Sequence, residues 1–533
     1  MKYLLILFIN GILLPALALG QSRWEVTFGV SNEDNYLFRK KAIDYDKGIL
    51  FNWMGTGYTN RYLSKMDLNG VELWTKSVYN GNIIQLHLVL SDTNKTILGG
   101  STSGFPFMSS LTKCYDLNWC NNFINQGLFD HGHFMDAVLL DSNRVLAMAY
   151  LEPPDIGINK TDRIYLFEYD STGELLWYKL YASGINYPQM EYPIPYYLTK
   201  FDDYYIISGW CYYPPPDNPQ LMVMRPMFIR IDQNFNEQWM LPYGADSNVV
   251  GMATGVIEDG LTGDNIAVGK LIDMGTDLTP LIHFDSLGSE KGIFVIDNDS
   301  IGTSVQANVS FDIVNLSDSK YLLLTSFGPN SQGNPLGELL LDSNYRVINS
   351  LSHPNTTIEI TRIDSLGNNQ FLFGVNIYEN PPNNYNRDIL LYKLNADLTQ
   401  AKIDTNTYVY DSLCPHAIVS DTIYLNDCDI VTALPEFPTP AAWQQSKQTV
   451  ELTAYPNPVN GNTVNFKLKY TKYHDNMQLV VYDISGRLLV TLPITSGAKT
   501  ATLSTTGFSP GMHVAVVRDN KKVLGKVVFS VVE

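Results

Sequence analysis

One phrase returns seven times along this chain: an apolar strand ending on an acidic or amide residue, a turn, and a second strand. It reads Tyr62-Leu63-Ser64-Lys65-Met66-Asp67-Leu68-Asn69-Gly70-Val71-Glu72-Leu73-Trp74 in its first copy. In the third it reads Tyr165-Leu166-Phe167-Glu168-Tyr169-Asp170-Ser171-Thr172-Gly173-Glu174-Leu175-Leu176-Trp177. The anchoring residue recurs at Asp67, Asp116, Asp170, Asp232, Asp285, Asp342 and Asn395, with successive gaps of 49, 54, 62, 53, 57 and 53 residues. Seven positions after it stands an aromatic residue in the first four copies, Trp74, Phe123, Trp177 and Trp239; Gly292, Asn349 and Lys402 take that place in the rest.

Ahead of each anchor lies a turn and a further apolar strand, as in Asp46-Lys47-Gly48-Ile49-Leu50-Phe51 and Tyr204-Tyr205-Ile206-Ile207-Ser208-Gly209. Each unit thus offers about four short strands, and four-stranded units at this period are the signature of a β-propeller. A lone four-stranded sheet cannot bury both faces, whereas radial stacking lets each unit cover its neighbours. The expectation is an all-β chain: a seven-bladed β-propeller over 21–430, a proline-stiffened linker over 431–449, and a small Ig-like β-sandwich over 450–533. The anchor carboxylate should accept backbone amides two or three residues on, with Gly70, Gly173 or Gly288 at positive φ. The Trp seven later should pack between blades. Trp24-Glu25-Val26-Thr27-Phe28-Gly29 resembles the fourth-strand phrase Trp74-Thr75-Lys76-Ser77-Val78-Tyr79, so the mature N-terminus is expected to complete the last blade.

The first twenty residues read as a signal peptide: Lys2, an apolar run from Tyr3 to Leu19, and the small residues Ala18 and Gly20 where a peptidase would cut. No later segment is long and apolar enough to span a bilayer. The last 85 residues from Thr449 hold nine basic against five acidic side chains; without them and Lys2 the rest carries 26 against 49, a net −23. So acidic a body argues against nucleic acid and anionic membranes as partners.

The tail carries three ordered motifs: Tyr455-Pro456-Asn457-Pro458-Val459, then Val480-Val481-Tyr482-Asp483-Ile484-Ser485-Gly486-Arg487-Leu488-Leu489, then Leu503-Ser504-Thr505-Thr506-Gly507-Phe508-Ser509-Pro510-Gly511-Met512-His513-Val514. It resembles the C-terminal sorting domain of type IX secretion substrates of the Bacteroidetes, over about one sixth of the chain. That resemblance implies recognition by the type IX machinery, and a product that is secreted or attached to the outer-membrane surface. His513 stands where the family usually has an aromatic residue, most often Tyr.

Five cysteines in an exported chain suggest two disulfides and an odd thiol. Cys114 and Cys120 straddle a turn and are expected to pair across a hairpin, Cys414 and Cys428 to pair likewise, each as a short local staple, leaving Cys211 free. Asp130-His131-Gly132-His133-Phe134-Met135-Asp136 is the one compact polar constellation, read as a loop. His131, His133 and Asp136 could contribute to a divalent metal site, but no further ligand can be named. No catalytic residue and no cofactor is assigned: nucleophile-elbow, zincin, phosphate-loop and calcium-loop motifs are absent. The anchor phrase resembles quinone-dehydrogenase-like propellers only in its Asp-turn-Trp pattern.

Tyr192, Tyr196, Tyr197, Trp210, Tyr212 and Tyr213 lie in two proline-rich stretches of the fourth unit, read as loops that present flat rings to a glycan or protein ligand. Two functions stay open: an exported, non-enzymatic binding or scaffolding propeller, or a surface polysaccharide hydrolase or lyase with a carboxylate pair in the central funnel.

Overall fold

In a computed structural model, residues 24–431 and 450–532 are described, short stretches between strands excepted, the longest being 153–162 and 297–306. The expected signal peptide and most of the linker lie outside them. The described residues form strands and turns without a helix, so none is long and apolar enough to cross a membrane. The chain divides into two compact units, Met1–Glu436 and Phe437–Glu533.

The first unit holds seven antiparallel sheets in chain order, over residues 36–79, 84–123, 131–181, 191–242, 250–296, 307–353 and 364–395. These are called sheets 1 to 7. Each is a meander whose first strand lies innermost. First strands of neighbouring sheets touch from sheet 1 through sheet 6, Asp312 of sheet 6 binds the Ile363 amide at the head of sheet 7, and sheet 7 touches the first strand of sheet 1. This is a β-propeller arrangement. The second strands are the hydrophobic heart of each sheet: Ile49–Met54 and Thr96–Thr102 are buried along their whole length, as expected where both faces are covered.

The turn before each outermost strand shows why the repeat exists. In Asp67, Asp170, Asp232, Asp285 and Asp342, Oδ1 accepts the amides two and four residues on, at 2.8–2.9 Å. The backbone at the third position is always left-handed: Gly70, Tyr115, Gly173, Phe235, Gly288, Tyr345 and Leu398. That series corrects the second anchor, which is Thr112 and not Asp116. The Thr112 hydroxyl accepts the Cys114 and Asp116 amides, and the Thr112 amide donates to the Asp116 carbonyl at 2.9 Å. The aromatic seven on is then Trp119.

Each such Trp packs on the turn of the next sheet. Trp119 and Trp239 donate to the carbonyls of Ser171 and Ser286 and lie against Gly173 and Gly288. Where the turn carries a ring instead of glycine, rings meet: Trp74 with Tyr115 at 4.2 Å, Trp177 with Phe235 at 4.7 Å. Bare Cα and large ring are two solutions to one interlock, and both remove aromatic area from water.

Closure has two parts. Glu25–Phe28 pairs antiparallel with the third strand of sheet 7, matching Glu25 to Tyr392 and Phe28 to Ile389, and Trp24 lies over Gly70 of sheet 1. Beyond Asn395 the chain then runs back as a strap over the seam. Thr422–Tyr424 adds in parallel to the outer strand of sheet 1, and Asp429–Val431 to that of sheet 2. Two disulfides hold it, Cys114–Cys414 and Cys120–Cys428, with sequence separations of 300 and 308.

The expected hairpin pairings are therefore wrong. Cys114 sits inside the Thr112 turn, whereas Cys120 lies within a strand opposite Ser109, so the hairpin never brings the two together and each meets the strap. Cys211 is the free thiol and is buried. Beneath the strap Asp411 joins a buried cluster. The Lys65 ammonium meets Asp44, Asp46 and Asp411 at 2.7, 2.7 and 2.6 Å, and Lys113 meets Asp44 at 2.8 Å. Burial opposes charge on Asp44, but the two ammonium groups hold its carboxyl well below the usual range. A buried ammonium needs such a full complement of partners, because removing one strands a charge.

The second unit is two sheets face to face, one of three strands and one of five, around Val464, Phe466, Leu479, Val481, Ala515 and Phe529. His513 is buried there, stacked between Phe508 at 5.1 Å and Phe529 at 5.5 Å.

Candidate functional site

Two places gather polar and aromatic chemistry: the ring axis, and one end of sheets 3 and 4. In all seven innermost strands the pairing to the second strand slips by a bulge or irregularity, between Leu37 and Lys41, Leu86 and Leu88, Phe134 and Asp136, Pro195 and Tyr197, Ala253 and Val256, Ser310 and Asp312, and Ser365 and Gly367. A bulge re-aims the side chains that follow it. Here it sends Lys41, Asp136, Tyr197 and Asp312 into contacts between sheets.

Asp136 accepts its neighbour Ala137's amide at 2.8 Å and, through Oδ2, the Leu198 amide of sheet 4 at 2.9 Å. Asp312 repeats the device, accepting Ile313 at 3.0 Å and Ile363 of sheet 7 at 2.9 Å. Arg362 ties the two halves of the ring. From the head of sheet 7 its Nη2 reaches Asp136 of sheet 3 at 2.8 Å, while its guanidinium lies 3.8 Å from the centre of the Tyr197 ring of sheet 4. Lys41 of sheet 1 completes the group, binding Asp364 at 2.9 Å and the Arg362 carbonyl at 3.0 Å.

Electrostatics follow from this crowding. Burial pushes the Asp312 carboxyl up to about 6, against the pull of Arg362 and two amides. Burial alone would lower the Arg362 guanidinium, yet Asp136, Tyr197 and the other carboxylates hold it above its ordinary value. The carboxylates of the axis thus already serve an arginine, a lysine and the backbone.

The six aromatics separate. They lie on strands Glu191–Lys200 and Tyr204–Tyr213, not on loops. Proline suggested loops, but the innermost strand is a sheet edge, where Pro193 and Pro195 forfeit no pairing the edge needs. Tyr197 is buried, its hydroxyl donating to the Thr361 carbonyl at 3.2 Å. The other five are half-buried. Trp210 Nε1 donates to Tyr196 at 3.1 Å and its ring meets Tyr212 edge-on at 5.3 Å; Tyr212 meets Tyr192 at 6.2 Å. Arg163 of sheet 3 stacks on Tyr192 at 4.6 Å and donates to the Tyr150 hydroxyl, which itself donates to Glu152 at 3.2 Å. Tyr213 ends the second strand.

His131, His133 and Asp136 also lie on a strand, His131–Asp141, the innermost of sheet 3. His131 is exposed, His133 binds the Ser101 hydroxyl at 2.8 Å, and Asp136 turns to the axis. Among the described residues, the groups whose ligand atoms lie within 4.8 Å of one another are Asp44–Asp46–Asp411, which surrounds the Lys65 ammonium, and Cys114–Cys414–His416; the His131 trio is not one of them. Sequence reasoning missed Arg362, Asp312, Lys41, Tyr150 and Arg163. Asp312 directly follows a bulge in mid-strand, as Asp136 does, and a bulge leaves no mark in the sequence.

The tail decides the protein's destination. Residues 453–530 match the secretion system C-terminal sorting domain. The protein is therefore secreted or attached to the cell surface by the type IX route, and the sorting domain is its handle for that machinery. No curated protein matches the chain in sequence.

Similar solved structures include a subtype N10 neuraminidase-like protein of A/little yellow-shouldered bat/Guatemala/060/2010, 10% identical over 62% of this chain and 99% of its own, TM-score 0.35. A second is an exo-1,5-α-L-arabinanase from a bovine ruminal metagenomic library, 10% identical over 49% and 92%, TM-score 0.28. A third is a DUF4221 family member from Bacteroides vulgatus, 11% identical over 70% and 100%, TM-score 0.31. These are likenesses of fold and say nothing of chemistry.

Proposed function

We propose that the protein is an exported, surface-exposed binding module that holds its ligand at the aromatic end of sheets 3 and 4. One observation carries this reading. Tyr192, Tyr196, Trp210 and Tyr212 form a contiguous, half-exposed cluster on the two inner strands of one sheet, braced by Arg163. Rings fixed on strands offer flat apolar area with little entropy left to lose, which suits sugar rings or a protein surface. Glycan is the favoured ligand because the cluster pairs stacking faces with the hydroxyls of three tyrosines and the Glu152 carboxylate.

The test is a pull-down of the full mature chain on surface and cell-wall polysaccharides. Trp210→Ala and Tyr212→Ala are each expected to reduce retention about tenfold, the loss of one good stacking contact. Undiminished retention in both variants would refute the site.

A second reading, a polysaccharide hydrolase or lyase, has one observation in its favour. Asp312, at about 6, is a carboxyl able to keep a proton near neutrality, as a general acid must. It predicts release of reducing or unsaturated ends from the same polymers, abolished in Asp312→Asn. Because Asp136 and Asp312 already hold an arginine and four amides between them, binding without turnover is the expected result.

A further inference from the structure

The two disulfides of the strap are chemically unlike. Cys120–Cys428 belongs to a core: Cys120 lies in mid-strand, 5% exposed and packed with Trp74, Phe107 and Ile423, and Cys428 packs against the same cluster. Cys114–Cys414 links two turns outside that core. On one side is the Thr112 turn; on the other is the bend at 411–416, where Leu413 is 54% exposed and Pro415 and His416 are exposed. The His416 imidazole lies against the bridge itself, Nδ1 at 3.5 Å and Nε2 at 3.7 Å from Cys414 Sγ.

We infer that Cys114–Cys414 is an exchange-reactive latch, opened by low-molecular-weight thiols with His416 assisting, while Cys120–Cys428 is a permanent rivet. In the opening step a thiolate RS⁻ attacks Sγ of Cys114, the less buried residue of the pair. An RS–S bond forms to Cys114, the Cys114–Cys414 bond breaks, and the electron pair leaves on Cys414 Sγ. His416, when protonated, hydrogen-bonds that thiolate and can deliver its proton to it. A second thiolate then attacks the mixed disulfide, releasing RS–SR and the Cys114 thiolate. Two external thiols are oxidised and one protein disulfide is reduced.

The imidazole matters because exchange is faster when the departing sulfur is a better leaving group, and a neighbouring cation makes it one. Surroundings matter more than access, since each bridge pairs one half-buried with one buried cysteine: attack on Cys428 would expel the Cys120 thiolate into the apolar core of Trp74 and Phe107, whereas attack on Cys114 expels that of Cys414 beside His416. Opening the latch would free the 411–416 bend, and with it the Asp411 side chain that reaches the buried Lys65 at 2.6 Å, while the rivet keeps the far end of the strap in place.

The full mature chain, oxidised, is exposed to reduced glutathione for graded times, alkylated with iodoacetamide and mapped by mass spectrometry. Cys114 and Cys414 should be labelled at least tenfold faster than Cys120 and Cys428. His416→Gln, which keeps polarity but cannot be protonated, should slow the first pair severalfold and leave the second unchanged. Buried Cys211 reports whether the fold persists. Equal rates for the two bridges, earlier labelling of Cys120 and Cys428, or an unaltered rate in His416→Gln would overturn the inference.

Discussion

At Gly173 the backbone sits at φ +86°, and a Cβ there would stand 2.5 Å from Cδ2 of Trp119. Two costs therefore coincide: a left-handed conformation that L side chains resist, and displacement of a ring that seals two sheets together. Gly367 shares the first cost, at φ +81°, without the second, since nothing lies within 4 Å. Gly367→Ala should lose about 1 kcal/mol and Gly173→Ala about 3 kcal/mol in urea unfolding of the first unit. Equal losses would mean that the tryptophan interlock contributes little. At the axis the sign of the pH effect follows from Asp312. Its folded value, about 6, lies above the unfolded value near 4, so the native state binds the extra proton and stability falls as pH rises from 4 to 6. Relative to Asp312→Asn, the parent should lose roughly 2 kcal/mol between pH 4.5 and 7, measured as a difference in denaturant midpoints. A flat difference would show a carboxyl that titrates normally. None of this axial chemistry was legible beforehand. Arg362, Asp136 and Tyr197 belong to three different sheets, and only closure of the ring makes them neighbours.

Strand pattern was the most readable property of the chain, because its period is imposed by burial on alternating faces. The errors have local physical causes. Asp116 looked like an anchor because it is acidic, but a threonine hydroxyl can accept the same two amides, and Thr112 does. Prolines in the fourth unit looked like loop residues, but an edge strand tolerates them. In the tail, the departure at His513 proves to be a substitution of one flat ring for another: the imidazole fills the stack between Phe508 and Phe529. His513→Tyr should leave the melting of the isolated thermal transition of the tail within a few degrees. His513→Ala, which opens a void in that stack, should cost about 2 kcal/mol. A tyrosine that destabilises as much as alanine would show that the slot is shaped for imidazole alone.

For the whole molecule the cysteine pairing changes the energetics most. Expected as short staples, the bridges instead close loops of about three hundred residues. In the chain-entropy account a first crosslink of that span stabilises by roughly 5 kcal/mol and the second, whose loop overlaps it almost entirely, by less. All five cysteines lie before residue 429. Full reduction should therefore lower the melting temperature of the first unit by ten degrees or more and leave the transition of the sorting unit unmoved, as followed by calorimetry. Coincident shifts of both transitions would count against independent folding of the two units.

The strand Glu25–Phe28 finds its partner at Ile389–Tyr392, some 360 residues downstream. A polypeptide stopped short of Ile389 consequently leaves that strand without the partner it has in the closed ring. Only a chain extended as far as Tyr392 can pair this strand, so closure of the ring waits until all seven sheets have been made.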